Sequence, residues 1–265
     1  MSLATTLTQT DQNHPPLVLI HGLGSAATAF KPIIPALAQS FRVITVDLPG
    51  HGETPMIPGR PMDPHSLALN IFEEMSHLGY EQFHLAGNSL GGWISLEMTA
   101  AHPDRVQSLT GLAPAGLWLN PYNARYPGTA LLRSIAKASA KVAPTALHFE
   151  GLRRIGFSDV SPRWKELSYQ ICLDATIAMA KADGYYPAWD GMLMKRFDSK
   201  IPESIPVTII FGDTDRTLPA TTCQERSVAP QHAKWIIFPD TGHAPMWDSP
   251  NDVAAAIIDT ATARR

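Results

Sequence analysis

The sequence predicts an α/β protein, with a mostly parallel central sheet flanked by helices and a helical segment inserted between two strands. Three observations lead there. Short runs rich in Val, Ile and Leu recur along the chain and are separated by helical patterns, as in a parallel sheet covered on both faces. That rhythm stops from about Ala115 to Asp198 and resumes at Pro206. Glycine turns follow several of the runs, at His21, His51 and Ser89.

In chain order, "PLVLIHG" (Pro16 to Gly22) is an apolar run closed by glycine, a buried strand. Residues 26–39 carry a helical apolar rhythm, with Pro32 and Pro35 making its start irregular. "FRVITVDLPGHG" is a second strand that stops in a Pro-Gly turn. Asp63 to Leu78 is helical: Pro64 suits the first turn, and Leu67, Ile71, Met75 and Leu78 share a face. "QFHLAG" is a third strand, followed by a helix from Leu90 to Ala101 that stops before Pro103. "VQSLTGLAP", "PVTIIFG" and "AKWIIFP" supply three more strands, and Val253 to Ala263 a terminal helix. The expected organisation is a core of residues 1–114 and 199–265, with residues 115–198 as a helical cap over it. Within the cap, "KASAKVAPTALHF" holds enough alanine to read as helix rather than linker.

Composition narrows the function. A chain of 265 residues, 45% hydrophobic and 17% charged, has the make-up of an ordinary soluble globular protein. A net charge of −3 with scattered Arg and Lys argues against nucleic acid or an anionic membrane as the main partner. Arg153-Arg154 and Arg264-Arg265 are adjacent basic pairs, as is Lys195-Arg196, and no longer basic run occurs. Two cysteines, Cys172 and Cys223, read as free thiols in a reducing compartment. The N-terminal stretch shows no signal-peptide pattern, and no apolar run approaches the roughly 18 residues a membrane span requires. The expectation is a cytoplasmic protein without stable membrane insertion, acting on a small molecule, with homo-oligomers left open. No H-E-x-x-H, Cys/His ligand spacing or G-x-G-x-x-G after the first strand is present, so neither a metal nor a cofactor is expected.

The stretch "HLAGNSLGGW" carries the chemistry. Gly87 to Gly91 fits G-x-S-x-G, between a predicted strand and a predicted helix. In that setting a sharp turn presents the Ser89 hydroxyl at the sheet edge, with small neighbours letting backbone approach. A serine hydroxyl needs a base to take its proton, and that base needs an orienting group. His243, in "PDTGHAPMWDSP", stands on a loop after the last strand. His21 and His51 sit in glycine turns at the same edge. The strand end "IIFGDTDRTLP" offers two acids, Asp213 and Asp215.

Together these motifs make the chain resemble the α/β-hydrolase superfamily, in its capped, esterase-like branch. The matching residues are "HGLG" at His21, "DLPGHG" at Asp47, "GNSLGG" at Gly87, "GDTDRTLP" at Gly212 and "TGH" at Thr241. The resemblance implies the α/β-hydrolase fold and a Ser89–His243–Asp215 catalytic triad. In the family's G-x-x-D-x-x-x-P pattern the acid falls on Asp215, with Asp213 the second choice. It implies an oxyanion hole made by the backbone N–H groups of Leu23 and Leu90, and gives His21 the task of fixing its loop.

For the substrate, Trp118, Met179, Trp189, Met192 and Met246 are candidates to line an apolar pocket, although each reads equally as core. The function expected is serine hydrolysis of a small to medium, largely apolar carboxylic ester. Three alternatives stand beside it. Asn88, before the serine, is typical of carbon–carbon bond hydrolases of ring-cleavage dienoates, whereas Ala244 after the histidine is not. A cofactor-free haloperoxidase or perhydrolase shares the triad, as does a hydrolase-fold receptor that senses a ligand in the pocket.

Overall fold

A computed structural model describes residues 2–8, 13–125 and 129–263; the Arg264-Arg265 pair lies outside them. Seven strands form one sheet: β1 (Thr5–Leu7), β2 (Pro16–Ile20), β3 (Arg42–Val46), β4 (Phe83–Asn88), β5 (Val106–Leu112), β6 (Val207–Gly212) and β7 (Lys234–Phe238). Their order is β1-β3-β2-β4-β5-β6-β7. β1 runs antiparallel to β3, pairing Thr5 with Val46, and every other neighbour pair is parallel. The sequence reading misses β1, because three residues with two threonines are too short to display a period of two.

The sheet separates two apolar layers, and β2 shows why its strands read as unbroken hydrophobic runs. Val18 and Ile20 face one layer, with α2 (Pro64–His77) and α3 (Leu90–Ala101). Leu17 and Leu19 face the other, with α1 (Ile34–Leu37) and the terminal helix. Residues 26–39 make a 3-10 turn (Ala27–Phe30) and the four-residue α1 rather than one helix, as the two prolines in that stretch dictate.

Among the described residues between β5 and β6 there is no strand. The stretch holds α4 (Thr129–Ser139), α5 (Ala143–Ala146), α6 (Glu150–Phe157), α7 (Tyr169–Lys181) and α8 (Tyr185–Met192). α4, α5 and α6 pack on α7, around a small core of Ala143, Leu147, Phe157, Leu167 and Cys172. α8 instead joins the main core through Tyr185, Ala188, Trp189 and Met192. The short α9 (Ala220–Cys223) follows β6, and α10 (Pro245–Asp248) and α11 (Pro250–Thr262) close the chain. α11 begins three residues earlier than the apolar pattern predicts, because Pro250 suits a first turn. Among the described residues no helix is long and apolar enough to cross a membrane.

The strand order reverses between β2 and β4: the chain adds β3 on one side of β2 and β4 on the other. A crevice opens at the carboxyl ends of strands where order reverses, and this is where α/β sheets bind ligands. Here those ends are His21 to Ser25 after β2 and Ser89 after β4.

Candidate active site

Ser89 forms the link between β4 and α3 and adopts φ 54° and ψ −117°, a conformation that costs about 1–3 kcal/mol for a residue with a side chain. Three backbone bonds hold it there. Its N–H donates to the Leu112 carbonyl at 3.0 Å, and its own carbonyl accepts from Trp93 at 3.1 Å and Ala115 at 2.9 Å. The flanking glycines are required by contact. A Cβ on Gly87 would lie 2.2 Å from the Gly91 carbonyl oxygen, and one on Gly91 would lie 2.0 Å from that of Ile20. Only bare backbone lets α3 start this close to the sheet.

His243 follows β7 and meets Asp215, which follows β6. The imidazole Nδ1 donates to Asp215 Oδ2 at 2.9 Å. The other carboxylate oxygen accepts from the Thr217 and Leu218 amides, at 2.9 and 2.8 Å. Both residues are buried, so an acceptor-only group is held in one orientation under the ring. Asp213 is exposed and accepts a long 3.4 Å bond from the Thr241 amide, bracing the turn away from the imidazole. Two further contacts hold the His243 loop. The His243 N–H donates to Val160 O at 2.8 Å, and the Asn88 side-chain amide donates to His243 O at 3.0 Å and to Leu112 O at 3.0 Å. Asp248 on α10 completes the brace, accepting from the Gly242 amide at 2.8 Å and from the Ser161 hydroxyl.

The other two histidines at this edge are occupied. His21 donates from Nδ1 to Gly22 O at 2.8 Å and accepts at Nε2 from the Leu48 amide at 3.0 Å. With Nε2 an acceptor the ring is neutral, so the 3.8 Å approach of Asp47 is not an ion pair. Burial pushes the His21 pKa down to about 4, and burial followed by the charge of His21 pushes His51 down to about 3. Asp47 is a loop staple: its two carboxylate oxygens accept from the Ala27 and Glu53 amides, at 2.7 and 3.0 Å. A Cβ on Gly52 would lie 2.2 Å from that carboxylate, which explains the glycine in "DLPGHG".

Ser89, His243, Asn88 and the turn Gly22 to Ser25 line one cavity of about 580 Å³. Leu23 is part of that wall. Leu90 is not: its side chain lies in the core, and as the first residue of α3 its N–H has no acceptor within the helix. Trp118, Met179, Trp189, Met192 and Met246 all line the cavity, joined by Tyr122, Leu218 and Trp247. Trp93 stands behind it, its ring edge-on to Trp118 with centroids 5.2 Å apart. Apart from His243, no ionisable Asp, Glu, Lys or Arg borders the cavity among the described residues. Nor does any cluster of His, Cys, Asp and Glu among them have the make-up of a metal site.

Residues 15–250 match the alpha/beta hydrolase fold family. The chain belongs to that family. This hydrolase is 28% identical over 239 residues to the pimeloyl-[acyl-carrier protein] methyl ester esterase of Legionella pneumophila, covering 87% of this chain and 88% of that one. A shorter stretch of 102 residues is 43% identical to the dihydrolipoyllysine-residue acetyltransferase component of an acetoin cleaving system from Pseudomonas putida, spanning only 27% of that protein. An esterase from Thermogutta terrifontis superposes with a TM-score of 0.72 at 22% identity, over 97% of this chain and 92% of its own, and shares the fold.

Sequence reasoning missed three parts of this hydrolase's site: the Asn88 clamp, the Val160 carbonyl and the Asp248–Ser161 brace. Asn88 carried a signal, an amide placed directly before Ser89 in the G-x-S-x-G stretch. Val160 and Ser161 carried none, since backbone acceptors and long-range hydroxyl contacts leave no local pattern.

Proposed function

We propose that this alpha/beta hydrolase cleaves carboxylic esters of a largely apolar substrate through a Ser89–His243–Asp215 triad. The observation that carries the reading is the 2.9 Å His243–Asp215 bond, facing the cavity into which the strained Ser89 turn also opens. His243 Nε2 takes the proton as Ser89 Oγ attacks the ester carbonyl. The Leu23 and Leu90 N–H groups receive the oxyanion, and the imidazolium returns its proton to the departing alcohol. Water, activated by the same histidine, then releases the acid and restores Ser89. Asp215 keeps Nδ1 protonated and offsets the imidazolium charge. Each oxyanion donor contributes roughly 3 kcal/mol in such sites. Residues 115–198 act as the cap whose helices roof the cavity.

The lining supports an ester over a dienoate. A ring-cleavage dienoate carries a carboxylate, and burying that charge without a cation or several donors is costly. The wall offers no Lys or Arg among the described residues. Asn88, the residue that favoured the carbon–carbon reading, spends its amide on Leu112 and His243 and has no donor left for substrate. The methyl ester esterase relatives fit the ester reading as well. A series of p-nitrophenyl esters of rising acyl length, run beside a dienoate analogue and with Ser89→Ala as control, tests it. Ester turnover that disappears in the variant is the expected result. Dienoate cleavage outpacing every ester would overturn the assignment.

A further inference from the structure

The cavity wall differs from one end to the other. From α4 to α6 it is hydrocarbon: α4 presents Ile135 and Ala136, α5 Leu147, and α6 Leu152, Ile155 and Gly156. The last three are spaced i, i+3, i+4 and so share one helix face. Two hydroxyls reach the wall from α4 and α7, and both donate within their own helices. Ser139 bonds the Ala136 carbonyl at 3.3 Å and Thr176 that of Cys172 at 2.8 Å. The wall hydroxyls of Ser25 and Thr217 have no hydrogen bond among the described residues, and both stand beside the triad. Ser25 comes two residues after Leu23, and Thr217 two after Asp215.

A residue that both lines the cavity and meets solvent marks an opening. Ile135 is 44% exposed, Leu152 46% and Ile155 63%, and Gly156 beside them is exposed as well. An opening therefore lies between α4 and α6, and its rim is hydrocarbon that faces water unless something apolar covers it. Gly156 keeps that rim clear. A Cβ there would meet no atom within 4 Å, so packing does not require glycine as it does at Gly87 and Gly91. A bulky side chain in its place would stand in the opening.

We infer that the substrate is an amphiphilic ester whose hydrocarbon arm leaves the cavity between α4 and α6, through the opening that Gly156 keeps clear. Its polar end stays near Ser25 and Thr217, where hydroxyls remain to pair with it. The arm displaces water from Ile135, Leu152 and Ile155, and each methylene so buried tightens binding about fourfold. A short or highly polar ester leaves that rim wet and finds no free hydroxyl along α4 to α7. The inference rests on the ester reading for the group that reacts, and on the wall alone for the arm.

Straight-chain alcohols from hexanol to dodecanol, titrated into the Ser89→Ala protein, test it, with the fluorescence of Trp118 and Trp247 in the wall reporting entry. Affinity is expected to rise about fourfold per methylene and to level off only once the chain emerges into water. Gly156→Phe should weaken dodecanol roughly 15-fold more than hexanol, the worth of about two methylenes. Gly151→Phe, on the same helix, is the control. A Cβ there also meets no atom within 4 Å, but residue 151 is off the wall, so both alcohols should bind as before. Both variants should keep the parental thermal midpoint. Ile155→Asp, which sets a charge in the path of the arm, should also disfavour dodecanol over hexanol. Affinity that falls beyond an optimum length would reveal a closed end and overturn the inference. So would no gain with length, or equal losses in the Gly156 and Gly151 variants. Length-dependent binding to a protein whose parental form turns over no p-nitrophenyl ester would support the passage and overturn only the hydrolysis reading. Ester turnover without length-dependent binding would do the reverse.

Discussion

Ser89 at φ 54° stores strain that Leu112, Trp93 and Ala115 hold in place through backbone bonds, so its side chain can be removed without disturbing the turn. Ser89→Ala should therefore unfold at the parental temperature while ester turnover falls at least about 1,000-fold, measured side by side by calorimetry and a steady-state assay. The two aspartates separate in the same way. Asp215→Asn leaves the imidazole in the wrong tautomer and should lower kcat by about 10,000-fold. Asp213→Asn, at an exposed turn, should stay within about threefold. A comparable loss at both would remove Asp215 from its assigned place. Asn88 is expected to act through His243 rather than on substrate. Asn88→Ala leaves the His243 carbonyl without its donor, costs about 1–3 kcal/mol of stability and lowers kcat with KM little changed. A rise in KM alone would mean that Asn88 touches substrate after all. The serine, the histidine and the pair of aspartates were legible because each lies in a short motif beside a strand end. The choice between the aspartates needed the family pattern, since both occupy the same turn.

At the level of elements, the short α10 does more than its length suggests. Asp248 on it ties Gly242, next to His243, to Ser161, beyond the last turn of α6. Burial raises the pKa of this carboxyl, so the brace is an expensive one that the fold retains. Asp248→Ala leaves the Gly242 amide and the Ser161 hydroxyl unpaired and should cost about 2–4 kcal/mol in urea unfolding, with a fall in kcat exceeding that of a surface control. Parental kcat in a destabilised variant would limit Asp248 to stability. None of this could be read in advance. Apolar wall residues posed the same difficulty in another form: Trp118, Trp189, Met192 and Met246 are as hidden from solvent as core residues and Met179 is half-buried against them, and composition cannot tell a side chain facing a void from one facing a neighbour.

For the whole molecule, the buried histidine pair sets the acid limit. His21 and His51 lie with ring centroids 5.4 Å apart and titrate near 4 and 3, whereas an unfolded chain protonates them near 6.5. Below that pH the unfolded state takes up protons that the fold refuses, so stability is full above about 6.5 and is lost as pH falls. Each histidine contributes about 1.4 kcal/mol per pH unit, roughly 2.7 together, between pH 6.5 and 4. Glu97 and Asp248, whose pKa values burial raises, act in the opposite sense at lower pH. Urea midpoints across pH 7.5 to 5 measure the slope, and His51→Asn should roughly halve it. A flat profile would mean that the pair is hydrated. The sheet that positions this pair was readable from its apolar runs. Its antiparallel edge was not, because three half-exposed residues carry too little pattern.

The His243 amide hangs from the Val160 carbonyl, and a Cβ on Gly242 would lie 2.2 Å from that same oxygen. The helical segment and the His243 loop thus share a fastening point, and the segment is not a free module. Grafting a relative's helical segment onto this sheet must keep the turn carbonyl at position 160 and a glycine at 242. A chimaera that breaks this seam loses the placement of His243 before it gains a new pocket.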